Sequence, residues 1–476
     1  PAAANNGAAN ITLTARNASS SGFRSDVVAR AANAMAVTIE DGLDLRFTSD
    51  AALHGDVSTT VTVPGFAQRL IVDNDLNLTA GRGGQGGIVT LQTSYEGGYG
   101  AQPADINIGG NLTVDASGFG AINFTPGGTG GNGTGGTAVV NIDQGTLRVA
   151  GSTRITAPGI GGFGLGRSGD GTGGTARLTI GPNSTVQLND LTLDASGSTI
   201  SDNGNFGPTL VGGNARGTLA EIVMTGGDLT ASFVSIGTQG SAGSGSDPDD
   251  NQAGASGGDG QGGTARIVMS GGSMDLNELS IDASGVGGFG DAAGTGGTGT
   301  GGNATVTLDN ATLNVLSTTT LWSFADSGFG RISGDANAGN VSITVNQGGV
   351  YESDNANLYA SASAFTGAER GGDAVGGTAT LLANGGEAYL GGLTLEADAR
   401  GGGGNALGGT ATGGTLLLAA RGGGLVDAFS SFITMSADAT GGSADTGGNG
   451  TGGAITLDAA GGSLSFSTQG SLFLSA

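Results

Sequence analysis

A Gly-Gly-Thr step, or a close variant of it, followed by an alternating apolar segment recurs down the chain. An internal repeat of this kind limits the fold to architectures in which each unit stacks on the next. The second glycine of the step falls at Gly87, Gly136, Gly174, Gly217, Gly263, Gly302, Gly339, Gly377, Gly414 and Gly453. Successive steps lie 37 to 49 residues apart, most of them 37 to 39, which makes nine full units and a tenth cut short.

Each unit holds three strand-like pieces, as in GGTARLTIGPNSTVQLNDLTLDASG. In its first piece Ala176, Leu178 and Ile180 alternate with Arg177 and Thr179. The same alternation occurs at Ala138, Val140 and Ile142, at Ala265, Ile267 and Met269, at Ala304, Val306 and Leu308, and at Val341, Ile343 and Val345. Period two over five or six residues, rich in Thr and aliphatics, predicts a β-strand with one buried face. The second piece is TLRV at 146–149, TVQL at 185–188, SMDL at 273–276 and SLSF at 463–466; the third is LTL at 191–193, LSI at 279–281 and LTL at 393–395. Turns of Gly, Asn and Asp, which tolerate positive φ, separate the pieces.

One unit alone buries almost nothing, so the economical solution is all-β: a parallel β-helix, or β-solenoid, of about ten coils of roughly 38 residues, with three short strands each and long Gly-rich loops. Two ladders of side chains are expected along it. Ala recurs just after the third strand, at Ala116, Ala157, Ala195, Ala283 and Ala397, and Phe recurs in the following loop at Phe119, Phe163, Phe289 and Phe329, with Phe206 a looser match. The phenylalanines read as a satellite core of stacked rings under the loops, with a carbohydrate-stacking face as the alternative. The longest glycine-rich stretch, 237–263, is expected to pack against its neighbours rather than hang free.

Composition fits this reading. There are 102 glycines, but only 8 prolines and no strict G-X-Y period, which excludes a collagen triple helix. Disorder is opposed by the 37% of apolar residues, because they fall in recurring alternating segments. Residues 1–85 are less regular and hold the lone histidine, His54, yet VTIEDGLDLRFTSD and RLIVDNDLNLTAGRGG keep the strand pattern. They read as worn first coils or a cap. Residues 86–476 are then the solenoid proper, expected to be uncapped where it stops after a third strand, an edge that templates further pairing. The opening Pro-Ala-Ala-Ala has neither a basic nor a hydrophobic leader region, so any signal peptide is expected to have been removed or to lie outside this sequence.

The chain is acidic, with 16 basic against 40 acidic residues and a formal charge of -24. Such a polyanion repels nucleic acid and anionic membrane, and no apolar run reaches membrane-spanning length. With one His and no Cys, nucleophilic triads and zinc sites lack their parts; every basic residue is Arg, so a phosphate loop has no Lys. Asp247, Asp249, Asp250 and Asp259 crowd one stretch, read here as a solvated acidic loop, with calcium the one metal those oxygens would take. Thr60-Val61-Thr62 has the Thr-x-Thr form of ice-binding solenoids, but the outward positions mix Arg, Asn, Asp and Ser, which argues against a flat Thr face. No acid cluster stands out among the regular units as an enzyme's groove, and no residue is assigned a catalytic, cofactor-binding or metal-binding role.

The unit GGTATLLANGGEAYLGGLTLEADARGGGGNALGGTATGG resembles the repeats of large bacterial exoproteins, the passenger regions of filamentous haemagglutinin-like and autotransporter β-strand-repeat adhesins. The likeness runs from about residue 86 to 476. It implies a right-handed β-helix, secretion to the bacterial cell surface or beyond, and a part in adhesion, aggregation or biofilm matrix. The function expected is therefore structural and adhesive, not enzymatic. Multivalent contacts along an elongated surface or filament would carry it, with self-association into fibres or arrays and with surface glycans or neighbouring cells as partners. The alternatives are an S-layer or sheath subunit, a polysaccharide-processing β-helix enzyme, and a phage tail-fibre segment.

Overall fold

The computed structural model describes residues 10–15, 21–23, 27–39, 44–64, 68–94, 103–200, 211–245, 254–429, 432–466 and 471–476. Among them there is no helix, and long parallel sheets of stacked short strands give a solenoid-like fold. The first sheet has thirteen parallel strands, from Asn10–Ala15 to Ala454–Asp458. Its register is unbroken over the repeats: Ala138 pairs Ala176, Ala176 pairs Ala220, Ala220 pairs Ala265, and Ala265 pairs Ala304. Every alternating apolar residue predicted to face inward does so, at essentially zero exposure. Burying like on like at each step makes one continuous core from units that have none alone.

The second and third pieces form two further columns, Gly145–Val149 with Ser152–Thr156 and Ser184–Gln187 with Asp190–Asp194. From Asp228–Gly237 to Glu387–Glu396 they merge into one strand that turns the corner without a break. The turn between first and second pieces uses the left-handed region, with φ of 59° at Asn183 and 45° at Asn310, and glycine at the corresponding turns of other repeats, such as Gly385. Asn is the L-residue that adopts this conformation most readily after Gly. The strands of the first sheet also continue in register through Ala34–Ile39 and Ser58–Pro64, before the first Gly-Gly step.

The glycine-rich stretches are not loops, and here the sequence expectation of three strands per unit is corrected. Each stretch leaves the body as a short strand and returns as another. The outgoing strands, Gly118–Phe119 through Ala439–Thr440, make a nine-stranded parallel sheet. The returning ones, such as Gly133–Thr134, Gly171–Thr172 and Ala215–Arg216, pair with one another in the same way. The two layers lie face to face as a thin fin along the solenoid. A Cβ added at Gly159 would come closer than 3.0 Å to the Thr172 carbonyl oxygen, and one at Gly171 would do the same at Ser198. In these repeats backbone therefore rests on backbone, at a distance that leaves no room for a Cβ at Gly159 or Gly171.

Hydrogen bonds cross between the layers as well as running within them. Gly243 N donates to Gly213 O at 2.9 Å, Gly258 N to Gly243 O at 2.9 Å, Gly288 N to Gly258 O at 2.8 Å, Gly297 N to Gly288 O at 2.9 Å and Gly328 N to Gly297 O at 2.8 Å. The bonds zigzag from outgoing to returning strand and on to the next repeat. From Ala325 onward, Ala325, Ala336, Ala362, Ala374, Ala399 and Ala411 replace glycine on the facing positions and form a small second core of methyl groups. The stretch 237–263 joins the fin through Gly240–Ser241 and Gly260–Gln261.

The alanine ladder sits where the fin joins the body. Ala116, Ala157, Ala195, Ala283 and Ala397 are fully buried. Their carbonyls accept the amide that begins the next body strand, as in Gly136 N to Ala116 O and Gly174 N to Ala157 O, both 2.7 Å. The Gly-Gly step thus closes the neck of the fin. The phenylalanine ladder is formed in part: Phe163 is buried, Phe119 and Phe289 are exposed, and ring contacts include Phe124 with Phe163 and Phe289 with Phe365. Phe206 lies outside the described residues. Phe163, Phe289 and Phe329 hold the same place, four residues past Gly159, Gly285 and Ala325 of one paired row, and Phe289 and Phe329 are neighbours in it, whereas Phe119 stands one residue past Gly118.

Two polar features are buried in the body. Glu221 is fully covered between Arg177 and Arg266 of the flanking strands, which hold its carboxylate from both sides. Tyr351 is enclosed in the core, where burial pushes its phenol up to about 12, the Thr319 and Ser353 hydroxyls offsetting only part of this.

Gly171→Ala is expected to destabilise the protein by about 3 kcal/mol and to raise hydrogen exchange in the fin, whereas Gly447→Ala, whose new methyl would meet nothing nearer than 3.7 Å, should change stability by less than about 0.5 kcal/mol in urea titrations. Above pH ~10 unfolded Tyr351 loses its proton while the folded residue keeps it, so stability should fall by about 1.4 kcal/mol per pH unit up to about 12. Denaturation at a series of alkaline pH values would show this slope in the native protein and its loss in Tyr351→Phe.

Candidate functional site

Where the fin leaves the body, the outward faces of the third strand and of the outgoing strand meet at an inside corner. In-register pairing lines up Asp282, Trp322, Tyr359, Glu396 and Ser436 on the body side. On the fin side it lines up Val286, Asp326, Ser363, Arg400 and Thr440. Phe324, Ser361, Asp398 and Asp438 lie between the two rows. A cavity of about 540 Å3 opens here and spans four successive repeats as a groove along the solenoid, and a second of about 390 Å3 adjoins it at Ser363, Arg400 and Thr440, farther out on the fin.

Three half-buried aromatic residues gather at one end. Phe324 stacks on Tyr359, with ring centroids 6.0 Å apart and planes 27° apart. Trp322, the chain's single tryptophan, pairs with Tyr359 across the sheet. Rings of this kind offer an apolar face and, in Trp and Tyr, a polar edge.

Carboxylates gather beside them. Asp398 accepts from the Ser436 hydroxyl at 2.6 Å and the Asp438 amide at 2.8 Å, and its own amide donates to Ser361 Oγ at 3.1 Å. Ser361 Oγ donates to Glu396 at 2.8 Å. Burial, and then the Asp398 charge, raise the pKa of Glu396 above the usual range, the Ser361 bond offsetting part of this; burial alone raises that of Asp326. Arg400 is exposed and makes no ion pair among the described residues. The groove therefore offers acceptors, hydroxyls and one cation around an aromatic platform.

Sequence reasoning passed over this groove because its parts come from five repeats, each of which looks regular by itself. The readable signals were the lone tryptophan and the arrival of aromatic and acidic residues at outward positions that hold Ser, Thr or Gly elsewhere. Of the acids considered for calcium, Asp247, Asp249 and Asp250 lie outside the described residues. Asp259 belongs to a side-chain ladder on the returning layer. Its amide donates to Asn214 Oδ1 at 2.9 Å, and its carboxylate accepts the Thr298 amide at 2.8 Å. Asp170 and Asp373 take equivalent places in that ladder. Among the described residues no group of three or more His, Asp or Glu is arranged to hold a metal ion.

His54 bonds Thr79 Oγ1 through Nδ1 at 2.8 Å and Asp56 through Nε2 at 3.2 Å. Burial acts to raise the Asp56 pKa, but hydrogen bonds from Arg30 and His54 and the charges of Arg30 and Arg82 outweigh it and hold the group below its usual value. This cluster ties adjacent strands together in the first repeats. Thr60 pairs Thr90, but the same outward row continues as Val139, Arg177 and Glu221, so the threonines form no flat rank.

Comparison of the chain with protein-family models, with curated proteins and with solved structures finds no match in any of the three.

Asp398→Ala removes the acceptor of two bonds at the floor of the groove. It is expected to cost about 1–2 kcal/mol and to speed exchange of the Asp438 amide while leaving the first sheet protected, as read by hydrogen-exchange NMR or mass spectrometry.

Proposed function

We propose that this chain is an extracellular structural and adhesive repeat protein of the bacterial cell surface. In this reading it winds as a right-handed β-helix with about ten fin-bearing coils and acts through many weak contacts along one stiff surface. The observation that carries the reading is the unbroken register of the first sheet, because it repeats each outward position at the strand spacing of about 4.8 Å down the whole stack. A ligand array or a second copy meets outward side chains at the same regular spacing many times, and individually weak contacts add through effective concentration. The acidic surface disfavours nucleic acid and anionic membrane as partners. Self-association into fibres or arrays, and surface glycans or neighbouring cells, fit it better.

A second reading, a polysaccharide-processing enzyme, has one observation in its favour: Glu396 with its raised pKa stands near Asp398 in a groove. An S-layer or sheath subunit differs from the leading reading in how copies pack.

Electron microscopy of the purified protein should show rods or filaments of uniform width. Beads coated with it should be retained on bacterial cells with a steep dependence on coating density. Planar lattices would favour the S-layer reading, new reducing ends from polysaccharide the enzyme, and retention no better than albumin-coated beads at every density would sink the adhesive one.

A further inference from the structure

We propose that the inside corner between body and fin is a binding groove for a neutral oligosaccharide, laid along the solenoid axis with its sugar rings against Trp322, Phe324 and Tyr359. The inference rests on the adhesive reading above and gives it a ligand class and a place.

Shape is the first argument. The first cavity spans four successive repeats, from Phe324 and Asp326 to Asp438 and Thr440, so it suits a linear polymer better than a compact metabolite. The strand-to-strand step of about 4.8 Å is comparable with the length of one pyranose residue, so successive sugars would meet successive repeats.

Chemistry is the second. A pyranose ring has an apolar C–H face and a rim of hydroxyls. The stacked Phe324 and Tyr359 rings, with Trp322 alongside, provide the flat apolar partner for that face. Around them stand groups that bond to hydroxyls. Asp326 and Glu396 are partly desolvated carboxylates with no cation paired to them among the described residues, so they gain most from O–H donors. Arg400, Ser363 and Thr440 supply donors for sugar oxygens on the fin side.

Charge is the third, and it selects within the glycans. Asp326, Asp398 and Asp438 line the cavity with a single Arg400, and Glu396 stands beside it bonded to Ser361, so a uronate or sulfated chain would bring like charges together. A basic peptide is disfavoured differently, because Arg400 stands in the middle of its path and the aromatic platform would contact its side chains at few points.

The single tryptophan makes the test direct, since all of the protein's tryptophan emission comes from the aromatic platform beside the cavity. Neutral, uronate-containing and amine-bearing oligosaccharides and an oligo-arginine peptide would be titrated against the full chain, following Trp322 fluorescence and calorimetric heat. A neutral oligosaccharide is expected to shift the emission saturably. Tyr359→Ala should weaken its binding at least tenfold with unchanged circular dichroism, and Tyr389→Ala, at a half-buried tyrosine outside the groove, should leave it unaltered. Trp322→Ala, followed by calorimetry, should lose binding likewise. Tight binding only of the uronate chain or the peptide would overturn the assignment, as would neutral-glycan binding that survives both Trp322→Ala and Tyr359→Ala. If no sugar binds while coated beads still adhere to cells, the groove inference fails and the adhesive reading stands; if the beads are not retained either, both fall.

Discussion

The contact between two glycine-lined backbones in the fin is the constraint on which the rest of the molecule depends. Outgoing and returning strands approach so closely that a methyl group at positions such as Gly159 or Gly171 would overlap a carbonyl oxygen of the facing layer. At that distance amides of one layer reach carbonyls of the other, and Gly258 N to Gly243 O or Gly297 N to Gly288 O become ordinary hydrogen bonds. Glycine loses more backbone entropy on ordering than any other residue. The fin offsets that loss by satisfying its backbone polar groups within and between layers, over a stretch where few side chains could contribute apolar burial.

Body and fin hold together by different means. In the body, side chains do the work: Leu178, Ile180 and their counterparts stack inward, and the core is continuous from one repeat to the next. In the fin the backbone carries much of it, through hydrogen bonds between layers, with a small added core from methyls such as those of Ala336, Ala374 and Ala411. The neck joins the two systems. There the alanine after the third strand is small enough to sit in the core, and its carbonyl takes the amide of the returning chain. Because every repeat makes the same bonds to the repeat before it, stability is a property of neighbouring pairs rather than of single units.

The groove follows from this division. A solenoid without a fin presents convex or flat outer faces, whereas a fin standing on a corner creates a concave angle that runs the length of the stack. In most repeats that angle holds Asp, Ser and Thr bonded to one another, as where Ser117 and Ser196 bond Asp115 and Asp194. Between Trp322 and Asp438 it is furnished with aromatic rings and with carboxylates drawn partly out of water. Regular backbone and irregular outward side chains are what allow one stretch of a repetitive scaffold to differ in function from the next.

The repeat, the inward face of each body strand and the buried alanines were legible in the sequence, because alternation with period two reports directly on which side chains leave water. The lengths of the Gly-Gly intervals likewise marked where one unit gives way to the next. The fin was not legible: a glycine strand has no alternation, and its partner is another glycine strand a dozen or so residues away, so only the folded pairing separates it from a loop. Of the phenylalanines, Phe163, Phe289 and Phe329 share one register position as their spacing suggested, and Phe119 falls elsewhere on its strand. Asp259 looked like one of a cluster of acids and is instead a rung of a backbone-bonded ladder. The groove needed tertiary structure most of all. Trp322, Tyr359 and Glu396 are 37 residues apart at each step, and only the in-register stacking of whole repeats brings them side by side. The sequence by itself determined that the chain stacks, because burial of alternating side chains is written locally; the tertiary structure decided what its glycines do and which surface residues meet, because both depend on contacts between repeats.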